Sequence, residues 1–158
     1  MYRDTVTLFN RSADGADTLW YPTVLHDVHL TLDLAAIKER IGYETGDRAV
    51  LNVRFDTGED GERFIAGKLW LPPTEWRAQP DDERGAALTF AYGEKFDFFM
   101  IGEWGVSVSD GGGPVPDCDY DADGGFYGYL NRTHDGVFAV TAVSGPFSVI
   151  PHLEIRGR

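Results

Sequence analysis

Few residues of this chain have the types and spacing to do chemistry, and the sharpest group is Asp119-Tyr120-Asp121-Ala122-Asp123-Gly124. It matches the first six positions of a calcium loop, D-x-D-x-D-G, in which alternate carboxylates converge on a hard cation and glycine makes the turn. The twelfth position, where such a loop needs a bidentate glutamate, is Leu130, and no amphipathic helix pair flanks the motif. Asp119, Asp121 and Asp123 are therefore weak candidate ligands in a segment that reads better as an acidic, solvated loop. No metal and no other cofactor is expected. The four histidines, His26, His29, His134 and His152, lie in no G-x-S-x-G, H-E-x-x-H or P-loop motif. His26 falls among apolar alternating positions and reads as a core histidine satisfied by backbone, because no Cys or His partner stands near it at metal-site spacing. Cys118 is flanked by Asp117 and Asp119, whose charges oppose thiolate formation. Gly111-Gly112-Gly113 runs into Pro114 rather than into a helix start, so the usual phosphate cradle is missing. Trp20, Trp70, Trp76 and Trp104 could stack on saccharides, but in a β domain such residues more often fill the core or a subunit interface. No catalytic and no cofactor-binding residue is identified, and the chain is not expected to be an enzyme.

The elements that would position these residues are mostly strands. Val137 to Arg156 reads as a strand pair broken at Ser144-Gly145-Pro146. The first arm is apolar on both faces, as a doubly buried strand should be. The second places Val149, Leu153 and Ile155 on one face, and Pro151 makes it an expected edge strand or one whose donor at that point faces solvent. Thr5 to Phe9 is a first strand, and Val24 to Leu32 a half-buried one with Val24, His26, Val28, Leu30 and Leu32 facing in. Ala49 to Phe55 alternates most cleanly and is expected to form a hairpin with Arg63 to Leu71, with Gly67 as a bulge or a close backbone approach. Ala87 to Tyr92 and Phe96 to Ile101 suggest another hairpin.

One helix, one helical turn and a second, shorter helix are expected. Asp33 to Ile41 has Asp33 as a cap, Leu34, Ile37 and Ile41 on one side, and Gly42 as its end. A turn follows Pro72-Pro73 with Thr74 as its cap, and a short aromatic helix spans Phe126 to Arg132. Gly102 to Gly125 is the least structured stretch. The class is all-β: a small barrel or sandwich with one or two short helices and long loops. It forms one domain over residues 1–158, with a Gly/Asp-rich loop at 105–125.

Bulk properties narrow the function classes. A chain of 158 residues, 42% hydrophobic and 13% aromatic, can bury a core. Lys and Arg number 14 against 26 Asp and Glu, a net charge of −12, which opposes nucleic-acid binding because affinity for phosphate backbones needs clustered cations. One cysteine excludes an internal disulfide framework. The N-terminal MYRDTVTLFNR enters a strand directly, so no signal peptide is expected, and no run reaches membrane-spanning length.

Both ends of the chain carry a resemblance. DTVTLFNRSADGADTLWYPTVLHDVHL resembles the opening of small neck and minor structural proteins of tailed bacteriophages, and FAVTAVSGPFSVIPHLEIRGR is similar to their closing strands. GKLWLPP and FDFFMIGEW look like segments of an uncharacterised group from phage and prophage structural clusters. The resemblance implies a small β-barrel, several copies of which form a ring beneath the portal as a head-closure or adaptor protein. It implies portal, adaptor and tail proteins as partners, self-association, passage of DNA without specific binding, no membrane contact, and location in the virion after synthesis in the bacterial host cytoplasm. Subunit contacts are expected on the Asp33 helix, through Asp33, Lys38, Glu39 and Arg40, and on the acidic loop, through Asp117 and Tyr120. The competing reading is a secreted or surface-displayed β-domain that binds carbohydrate or calcium.

Overall fold

The computed structural model describes residues 2–12, 18–33, 48–105 and 114–158. Six antiparallel strands close on themselves in the order β1 (Asp4–Arg11), β8 (Phe98–Ile101), β10 (Val137–Phe147), β11 (His152–Gly157), β3 (Ala49–Arg54) and β2 (Leu19–Leu32), with β2 pairing back onto β1. A two-residue strand, β9 (Val115–Pro116), extends β2 at Leu19 and Trp20. The barrel half of the expected fold class is therefore the observed one.

A second sheet joins β4 (Asp56–Thr57), β5 (Arg63–Ile65), β6 (Lys68–Trp70) and β7 (Ala87–Leu88). Two short α-helices complete the described chain, α1 (Pro73–Arg77) and α2 (Phe126–Thr133), together with 3-10 turns at Arg84–Ala86 and Asp117–Asp123.

All six barrel strands contribute to one apolar cluster, which includes Val6, Leu8, Leu25, Leu51, Phe99, Phe138 and Ile155. Ile65, Leu88 and Phe90 join it from the second sheet and the segment after it, so that sheet packs against the barrel core. Gly157 marks how tightly the strands approach: a Cβ there would lie 2.9 Å from Phe138 Cβ and 3.0 Å from the Phe99 ring. The outer faces of β1, β8 and β10 are not left to water. Phe9, Phe98, Met100 and Val137 form a second cluster with Trp20, Phe126 and Leu130, and this is where α2 lies down. The two-sided apolarity of Val137 to Val143 reflects that double burial.

Several expected pairings are replaced. Ala49–Arg54 pairs with β2 and β11 rather than with Arg63–Leu71. The returning segment instead forms two shorter hairpins, Asp56–Thr57 with Arg63–Phe64 and β5 with β6. Gly67 is neither a bulge nor a close approach, since a Cβ there would meet nothing within 4 Å. It is the second turn residue of β5–β6, with φ +75 after Ala66 at φ +53, the backbone of a two-residue type I′ turn. Ala87–Leu88 and Phe98–Ile101 form no hairpin: β7 runs parallel to β6, and β8 lies between β1 and β10.

The strand β11 is paired on both sides and is not an edge. Pro151 costs it nothing, because it sits in the turn before the first ladder residue. Val149 likewise belongs to the turn and not to the strand. Pro72, not Thr74, occupies the N-cap of α1 and makes no side-chain cap.

His26 is corrected as well. A register shift between β1 and β2, centred on Asp27 with φ +55, puts Leu25 and Val28 inside and leaves the His26 side chain 60% exposed. One extra residue in a strand of period two turns over every residue before it. Of the loop expected at 105–125, residues 106–113 lie outside the described residues, and the part that follows forms β9 and the Asp117–Asp123 turn rather than loop. The predicted Asp33–Ile41 helix lies, beyond Asp33, outside the described residues.

Candidate functional site

The residues expected to act cluster in the segment over α2, and the structure gives most of them structural partners. Asp117 accepts two hydrogen bonds on Oδ1, from the Trp20 indole at 2.9 Å and from the Phe126 amide at 2.8 Å. It thereby caps α2, whose own N-cap, Gly125, has no side chain to offer. Gly125 adopts φ +112, and a Cβ there would sit 2.9 Å from Asp117 Oδ1, so the close approach of the carboxylate requires glycine. Tyr120 is half-buried, with its ring 5.0 Å from Phe126 and 4.6 Å from Tyr129. Burial raises its hydroxyl pKa, with smaller contributions from Tyr129 and Asp119.

In the calcium-like motif, Asp123 accepts from Arg132 Nε at 2.8 Å, while Asp119 and Asp121 are exposed. Among the described residues no group of three or more His, Cys, Asp or Glu side chains is placed to hold a metal ion. Cys118 is exposed and outside any disulfide. Asp33 is exposed at the end of β2, and its amide donates to the Arg48 carbonyl at 2.8 Å. Lys38, Glu39 and Arg40 lie outside the described residues. Trp20 and Trp76 are buried, and Trp104 packs against the cluster beneath α2.

His26 stands on the surface with Thr5 Oγ1 3.3 Å from Nδ1 and Glu103 Oε1 3.6 Å from Nε2. This is a Thr–His–Glu alignment at loose distances, on side chains 60% and 63% exposed for His26 and Glu103. General acid–base work needs tighter contacts and exclusion of water.

Two features were not found from the sequence. The first is Asp97, with no exposed surface. Its Oδ1 accepts from the Arg11 amide at 2.8 Å, and its Oδ2 accepts from Asn10 Nδ2 at 2.9 Å and the Ala91 amide at 2.8 Å. Burial pushes its pKa up to about 7, against the lowering effect of those three donors and of the Arg77 charge. The carboxylate ties β1 to the segment before β8, and with no exposed surface and every contact made to this chain's own backbone and side chains it holds the fold. An isolated acid inside the aromatic run Phe96-Asp97-Phe98-Phe99 was the available signal.

The second is the turn between β10 and β11. Phe147 is 42% exposed, Val149 97% and Ile150 54%, and the remaining large exposed apolar side chains of the described residues, Tyr92 and Ile101, are on other segments. The Phe147 ring stacks on His152 at 4.8 Å, and His152 Nδ1 lies 2.6 Å from the Ile150 carbonyl oxygen, which makes the turn a compact apolar knuckle. An open concavity of about 610 Å³ borders it, lined by Pro146, Phe147, Val149, Ile150 and Glu154 among others. Apolar residues bracketed by Pro146 and Pro151 were the sequence signal, since a proline has no amide hydrogen to give a ladder and two of them mark a break between the arms. Compared with protein-family models, with curated proteins and with solved structures, the chain matches none.

Proposed function

We propose that this chain is a structural subunit of a tailed-phage particle, placed at the head-to-tail junction, where several copies form a ring beneath the portal. The observation that carries this reading is the exposed apolar knuckle Phe147, Val149 and Ile150 on a barrel whose six strands close on themselves. Closure removes the free edges through which sheets add strands, so contacts with neighbours fall to protruding side chains. Three large apolar groups held in water within four residues mark a contact with another component of the particle. The resemblance of both chain ends to phage neck proteins and the net charge of −12, suited to a lumen through which DNA slides without sticking, point the same way. The test is mass spectrometry of purified phage particles, or of induced prophage, with copies of this 17.5 kDa chain counted against the portal. About one ring's worth of copies is the expected result. Absence from the particles overturns the reading.

A further inference from the structure

The apolar knuckle does not stand alone at its end of the barrel. Beside it is the β4–β5 loop: Thr57, Gly61 and Arg63 line one concavity of about 280 Å³ together with Pro146 and Phe147. The Phe55 amide donates to the Pro151 carbonyl at 3.2 Å, which fixes the base of the loop against the turn. In this loop Glu59, Asp60 and Glu62 are exposed, as is Asp56 of β4 at its start. Two cations stand near its foot, and both lie over aromatic rings: Arg63 over Phe55 and Trp70, 5.5 and 5.8 Å from their centroids, and Arg54, the register partner of His152, over Tyr2 at 4.1 Å. One end of the molecule thus presents a compact apolar tip flanked by four acidic side chains.

We infer that this end docks into an apolar socket rimmed by Lys and Arg on a protein other than this chain. The inference rests on the proposed place in a phage particle and names the chemistry of the neighbour there. An apolar centre with a charged surround is the anatomy of a specific interface, in which the buried centre supplies affinity and the surround supplies orientation and encounter rate. Charge decides against a second copy. Two copies meeting tip to tip would bring two sets of four carboxylates together, and like charges across an interface are repulsive. A head-to-tail contact made through this tip would need a basic socket on a chain where acids outnumber bases 26 to 14, so contacts between copies in the ring are left to other surfaces.

The experiment supplies the chain in trans to a phage from which its gene is deleted. It compares the wild type with V149S/I150S and with E59Q/D60N/E62Q. Because the changed side chains are exposed, both variants should melt with the wild type. Should Ile150→Ser disturb the turn, V149S alone carries the same test, at a side chain 97% exposed. The wild type is expected in the particles, and V149S/I150S should be incorporated at least about tenfold less, the scale of losing a central apolar anchor. The loop variant should be washed off purified particles at lower NaCl than the wild type, because fewer charges hold it to the basic rim.

Wild-type incorporation with both variants equally incorporated and equally salt-resistant overturns the docking surface and leaves the particle reading standing. A loss confined to V149S/I150S, with the loop variant indistinguishable from wild type, overturns the basic rim. Self-association of the isolated chain that V149S/I150S abolishes, seen by analytical ultracentrifugation, assigns the tip to a second copy and overturns the inference. Absence of the wild type from particles overturns both the inference and the reading beneath it.

Discussion

Asp97 concentrates the electrostatics of the fold in one side chain. A carboxylate with no exposed surface survives only because three donors, the Arg11 and Ala91 amides and Asn10 Nδ2, converge on it. Desolvation still raises its pKa from 3.8 to about 7. The folded chain therefore holds this proton more tightly than the unfolded chain. The stability contributed by that proton is fully present below about pH 4 and is lost as pH rises through about 7. Asp97→Asn should melt at a lower temperature than the wild type at pH 5, because its amide group turns a donor toward backbone donors. Between pH 5 and pH 8 the wild type should lose more of its melting temperature than Asp97→Asn does. The general repulsion among 26 acidic residues acts on both chains, so the difference between their slopes, followed by circular dichroism, reads the Asp97 contribution. Equal slopes would show that Asp97 is ionised throughout.

At the scale of elements, α2 is eight residues long and cannot stand without tertiary support. Phe126 and Leu130, both fully buried, attach it to the barrel, and Asp117 caps its start from across a turn. Asp117→Ala should destabilise the chain by about 1–2 kcal/mol, since the Phe126 amide loses its cap and the Trp20 indole its acceptor. Urea denaturation followed by circular dichroism measures the loss. The β5–β6 turn offers a gain instead. Ala66 holds φ +53, a left-handed conformation that costs an alanine about 1–2 kcal/mol. Ala66→Asn creates the Asn-Gly pair that a type I′ turn favours and should stabilise the protein by about 1 kcal/mol in the same assay. A decrease would mean that the turn is not of this type.

In the whole molecule, closure of the barrel depends on chain segments far apart in sequence: β1 meets β8, β8 meets β10, and β11 meets β3. The second sheet has strands of two or three residues and attaches to the barrel cluster through Ile65, Leu88 and Phe90. Opening of the barrel must expose the whole main cluster, whereas the second sheet can open with less exposure of core. Amide hydrogen exchange should therefore be slowest in β1, β3, β8, β10 and β11, with β4, β5 and β6 exchanging earlier. Equal protection of both sheets would show a single cooperative unit.

What followed from sequence alone was local in origin. Alternation and glycine punctuation marked Thr5–Phe9, Ala49–Phe55 and the Val137–Arg156 pair as strands, and Phe126–Arg132 as a helix, because period and turn chemistry act within a few residues. All-β class and the dense core followed from composition for the same reason. Partner choice did not follow. Ala49–Arg54 alternates equally well against Arg63–Leu71 or against β2 and β11, and the clusters that decide between them draw on residues more than a hundred positions apart. The left-handed Asp27 turned His26 out of the core, a reversal that no period-two pattern announces. Asp117 became a cap only when Gly125 and Trp20 were brought beside it, and Val149 became an exposed tip only when the ladder of β11 began at His152. Hydrophobic pattern specifies which residues leave water; the closing of the barrel, where each pairing constrains the next, specifies what they meet.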